Sequence, residues 1–117
     1  MVRRAYSAAA DRKMVLGRIV LREQEEQANG VTLLRRIGAT VYVTSQGRAS
    51  HVTPGLPDVL ALIPSHGALL WEVKTEGGKL SEEQKACGAA CREAGVHWCA
   101  GPVVVLLECL CTMGVIA

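Results

Sequence analysis

The chain has 117 residues, half of them hydrophobic and 21% charged, which suits one folded globular domain and excludes a disordered polyelectrolyte. Thirteen basic against eleven acidic side chains leave a formal charge of +2, so bulk charge alone assigns neither nucleic acid nor any other polyanion as a partner. No apolar run reaches the ~18 residues needed to cross a bilayer, and five cysteines without a recognisable secretory leader argue against a disulfide scaffold, leaving a reducing cytoplasm as the expected compartment.

Residues 11–37, rich in Arg, Glu, Gln, Leu and Ala, predict a helix. Asn29-Gly30 interrupts it, so either one helix tolerates the glycine or two helices meet there. In its second half Glu26, Gly30, Leu33, Leu34 and Ile37 share one face, and Gly38 suits a C-terminal cap. Residues 39–46, "ATVYVTSQ", alternate and predict a strand. The loop "GRASHVTPG" carries Arg48 and His51. Residues 58–63, "DVLALI", predict a short apolar strand closed by the turn signal Pro64-Ser65-His66-Gly67. Residues 68–75, "ALLWEVKT", predict the next strand, followed by a Gly77-Gly78 turn. A helix then starts with Ser81 as N-cap and stops at Gly95, and "VHWCA" predicts a last strand. Residues 102–113 are ambiguous: their valines favour a strand, their length and proline start a helix.

Charged residues stand inside these strand-like segments. Side chains alternate along a strand, so Glu72 and Lys74 point to one side together with Leu70. Ionised groups inside an apolar sheet cost several kcal/mol unless paired or metal-bound. The "PSHG" turn makes the two strands antiparallel neighbours, so Asp58 and Glu72 can meet near one end of the sheet. Two carboxylates so close repel unless a cation lies between them, and hard divalent cations take oxygen ligands. An E-x-K tripeptide alone is common and would describe an ordinary solvated strand face. Pro57-Asp58, fourteen residues before Glu72 and across a turn, is what gives it weight.

"PGLPDVLAL" followed by "WEVKTEGGKLSEEQ", with an acid on a preceding helix, resembles the VRR-NUC family of the PD-(D/E)xK nuclease superfamily. The resemblance runs from about Glu23 to Gly95. It implies an α/β, restriction-endonuclease-like core: an N-terminal helix, a central mixed sheet of about four strands, and flanking helices. It implies Mg2+- or Mn2+-dependent hydrolysis of DNA phosphodiesters by a homodimer acting on branched DNA, of the Holliday-junction or flap type. Residue by residue, Asp58 and Glu72 match the metal-binding acids, Lys74 matches the lysine of the motif, and the Val73 carbonyl is a further candidate ligand. Glu26 is the expected helix acid because it shares the apolar face of Gly30, Leu33 and Ile37, with Glu23 one turn earlier as the alternative. Gln84 matches the glutamine opening the second helix, where it either orients the site or is a solvated first-turn residue. Such a site neutralises phosphate charge and generates hydroxide near neutral pH, with Lys74 orienting or deprotonating the attacking water.

DNA is held mainly through phosphate contacts. Arg48, His51 and Lys79, in loops abutting the proposed site, are the candidates, with Arg35, Arg36, Arg3, Arg4, Arg12 and Lys13 as further possibilities. The cysteines lack any C-x-x-C pair and are read as buried free thiols rather than zinc ligands. A nuclease-like module that binds DNA without cutting, or a subunit whose acids hold a structural cation, are the alternatives.

Overall fold

A computed structural model describes residues 23–44 and 53–117. Arg3, Arg4, the start of the predicted first helix with Arg12 and Lys13, and Arg48 and His51 lie outside the described residues. Helix α1 covers residues 23–36, and β1 (Thr40–Val43), β2 (Val59–Ile63), β3 (Gly67–Val73), α2 (Glu82–Ala94), β4 (His97–Gly101) and α3 (Val103–Thr112) follow. The strands lie side by side in chain order, β1-β2-β3-β4. The first two pairings are antiparallel and β3–β4 is parallel, a reversal of direction that the crossover through α2 permits. The architecture is α/β with a mixed four-stranded sheet, as the sequence predicts.

Strand alternation decides which face is the core. Val41, Val59, Ala61, Ile63, Leu69, Trp71, Val73 and Cys99 turn to one side, where Val31 and Leu34 of α1 and Leu106 and Leu110 of α3 meet them. Trp71 is fully buried, and its Nε1–H donates to the Gly101 carbonyl (2.8 Å), so the burial leaves no polar group unpaired.

Asn29-Gly30 does not break α1 among the described residues. Gly30 lies directly on Trp71, and a Cβ there would come within 2.2 Å of two ring atoms. The glycine is thus a packing device, which lets the helix approach the sheet over the largest side chain in the core. The ambiguous tail is helical. Pro102 ends the sheet in extended conformation, and the valines that follow form the first turn of α3. Helix α2 starts with a complete capping box: the Gln84 N–H donates to Ser81 Oγ (3.1 Å) and the Ser81 N–H donates to Gln84 Oε1 (2.8 Å). It ends on Gly95 in the left-handed conformation.

Candidate active site

The β2–β3 register pairs Val59 with Trp71, so one step further along the ladder Asp58 stands opposite Glu72. That step is made: the Thr44 N–H donates to the Asp58 carbonyl (2.8 Å), extending the β1–β2 pairing past Val59. The Asp58 side chain turns onto β3, where its Oδ2 accepts from the Val73 N–H (2.8 Å). Asp58 thereby closes the end of the ladder and comes into hydrogen-bond contact with the Glu72 carboxyl.

Glu72 is 5% exposed, the one buried charged side chain among the described residues. Burial and then the hydrogen bond and negative charge of Asp58 push its pKa up to about 8; the Lys74 ammonium pulls the other way and Glu23 adds to the rise. Near neutral pH Glu72 therefore holds a proton that it shares with Asp58. Lys74 lies two residues on, on the Glu72 side of the strand, and its backbone N–H reaches the Gly101 carbonyl (3.2 Å).

Asp58, Glu72 and Lys74 are thus brought together. Glu26, the expected helix acid, is held by α3: its Oε1 accepts from the N–H of Val103, the first residue of that helix (3.2 Å). There a carboxylate satisfies an orphan donor and complements the helix dipole. The charge on α1 that bears on Glu72 is that of Glu23. Gln84 is held in the capping box. Lys79 is exposed just beyond the Gly77-Gly78 turn, and Arg35 and Arg36 are exposed on the last turn of α1.

Two further residues shape the site. Thr44 Oγ1 donates to the Pro57 carbonyl, so Thr44 grips the chain on both sides of the Pro57–Asp58 bond. Gly55, at φ +90°, lays the preceding turn against α2, where a Cβ would fall 2.5 Å from the Glu83 carbonyl oxygen. The glycine was visible in the quoted motif. Thr44 was hidden inside a strand expected to run to residue 46, and the 43–59 pair that sets it beside Asp58 is fixed only by the fold.

Among the described residues no group of three or more His, Cys, Asp or Glu side chains is gathered at metal-holding distance. The Asp58–Glu72 pair nonetheless fits a hard divalent cation. It is all oxygen, and a cation between the two carboxyls would take the place of the proton that relieves their repulsion. All five thiols are free. Cys91 and Cys99 are buried, as expected, whereas Cys87 and Cys109 are half-buried and Cys111 is exposed. No described helix is long and apolar enough to cross a membrane.

The family model of the VRR-NUC domain matches residues 5–101, most of the chain. No curated protein and no solved structure matches it.

Proposed function

The chain belongs to the VRR-NUC family of nuclease-type, DNA-processing domains, and on that premise we propose that it is a metal-dependent endonuclease that hydrolyses DNA phosphodiester bonds. The observation that carries this reading is the carboxyl pair of half-buried Asp58 and buried Glu72 with Lys74 beside it. Asp58 and Glu72 are the residues that would hold Mg2+ or Mn2+, with the Val73 carbonyl as a further candidate. When bound, such an ion polarises the scissile phosphate and lowers the pKa of water.

Asp58, fixed by Thr44 and the Val73 N–H, presents an oxygen in a constant position. Lys74 places a cation where negative charge builds on the phosphate, and its ammonium can donate a hydrogen bond that orients the attacking water. The Val103 bond to Glu26 and the action of Glu23 on Glu72 support Glu23 as the acid that α1 contributes. Arg48, His51 and Lys79 would contact flanking phosphates, and Gln84 would hold the start of α2 rather than touch the substrate. The substrate we propose is branched DNA, a flap or a four-way junction, cut by a homodimer of single-domain chains in the cytoplasm.

The test is cleavage of duplex, flap and four-way-junction DNA with Mg2+, Mn2+ or EDTA. Asp58→Ala, Glu72→Gln and Lys74→Ala are each expected to reduce the rate by at least ~100-fold while the protein stays folded. Undiminished cutting by Asp58→Ala would overturn the assignment, and no cutting by the wild type with either metal would favour a DNA-binding module.

A further inference from the structure

The alternation that turns Glu72 away from the core sets a second row of side chains beside the acids. Tyr42 pairs with Leu60, Leu60 with Leu70, and Leu70 with Trp98, so these four cross the sheet in one line. That line is two residues, about 7 Å, from Asp58 and Glu72 along β2 and β3 and lies on the Glu72 face. The next row on the same face carries Leu62. At the β4 end the face is covered, because α2 lies there and its Gly88 sits on the Trp98 ring. Over β1 and β2 no described element covers it: Tyr42 is 53% and Leu62 44% exposed.

Single exposed apolar side chains are ordinary on a protein surface. A tyrosine flanked by leucines, one row along and one strand across from Asp58 and on the Glu72 face, is a more particular arrangement, within about a nucleotide's length of the acids. Aromatic and aliphatic side chains stack on nucleobases whatever their identity, because every base has a π-face. A base inside an intact duplex keeps that face against its neighbours. Only an unpaired or unstacked base, as at a flap or branch, can offer it to a protein surface.

We infer that Tyr42, backed by Leu60 and Leu62, is a stacking platform for an unpaired nucleobase next to the scissile phosphate, and that this contact selects unpaired or branched DNA over intact duplex. The inference rests on the nuclease reading and adds a specificity-determining residue to it. Tyr42 touches a base away from the reacting atoms, so its removal changes substrate preference rather than the chemistry.

The experiment measures kcat/KM for one labelled strand presented either unpaired, in a flap, or fully paired. Both forms are made with a normal base and with an abasic nucleotide beside the cleaved bond. The proteins are wild type, Tyr42→Phe and Tyr42→Ala, each checked for folding by circular dichroism and for oligomeric state by sedimentation. Tyr42→Ala is expected to lose ~5- to 100-fold on the flap and less than about twofold on the duplex, while Tyr42→Phe stays within about twofold of wild type. The abasic flap should be cut equally by wild type and Tyr42→Ala, since the base that stacks is gone. Equal losses on flap and duplex, or a loss that persists on the abasic flap, overturn the inference and leave the nuclease reading intact. Conversion of an oligomer to a monomer by Tyr42→Ala would identify the face as a contact between copies and also overturn it. If the wild type cuts nothing, the nuclease reading fails by itself. Anisotropy in EDTA then decides the platform: tighter single-strand binding by wild type than by Tyr42→Ala supports it, and equal binding overturns it.

Discussion

Glu72 carries a pH dependence whose sign follows from its burial. Its carboxyl titrates near 4.5 when exposed and near 8 in the metal-free fold. Between those values the folded chain holds a proton that the unfolded chain has released. The contribution of Glu72 to stability is therefore full below about pH 4.5 and is lost as pH rises through 8, by at most ~1.4 kcal/mol per pH unit within that window. Glu72→Gln keeps the shape and stays neutral, so its melting temperature in EDTA should exceed that of the wild type at pH 8 and approach it at pH 5. A divalent cation competes with the shared proton, so Mg2+ or Mn2+ should raise the wild-type melting temperature more at pH 8 than at pH 6 and leave Glu72→Gln little changed. Thermal denaturation at three pH values, with EDTA or metal, checks both. Identical pH profiles for the two proteins in EDTA would mean that Glu72 is not the titrating group.

At the scale of elements, the contact between α1 and β3 tests how the fold is fitted together. Gly30→Ala improves helix propensity by about 1 kcal/mol, yet puts a methyl within 2.2 Å of the Trp71 ring. Overpacking a fully buried ring costs about 1–3 kcal/mol and wins, so urea denaturation should show a net loss of stability. A gain would show that the helix can slide away from the sheet. The same glycine marks where local reading ended: in the sequence it is a break signal, and its partner is 41 residues away. The valines after Pro102 mislead similarly, because β-propensity there yields to packing of Leu106 and Leu110 on the core and to Glu26 at the first turn. The meeting of Asp58 and Glu72 was legible, since a short turn between two strands fixes the register by counting. Thr44 and the partner of Glu26 were not, because both depend on elements brought together only by the fold. Gln84 was legible in pattern, three residues after Ser81, but the capping box and the family motif use the same two residues.

Taken as a whole, the molecule must hold a polyanion with a formal charge of only +2. Bulk attraction of that size cannot do it, and the Asp58–Glu72 pair locally repels phosphate whenever both groups are ionised. Affinity must then come from a few cations at the rim of the site, among which Lys79 is exposed just after the β3 turn. Each phosphate contact releases counterions and contributes about 0.9 to the slope of log affinity against log salt. Lys79→Ala should therefore lower that slope by about 1 and weaken flap and duplex binding alike, because a phosphate contact carries no structural preference. Tyr42→Ala should do the reverse, leaving the slope unchanged and weakening only the flap, because stacking releases no ions. Fluorescence anisotropy in EDTA between 50 and 200 mM KCl, roughly the range over which counterion release is read, separates the two. A Lys79→Ala slope equal to that of the wild type would return Lys79 to an ordinary solvated charge and move the rim contacts to other lysines and arginines.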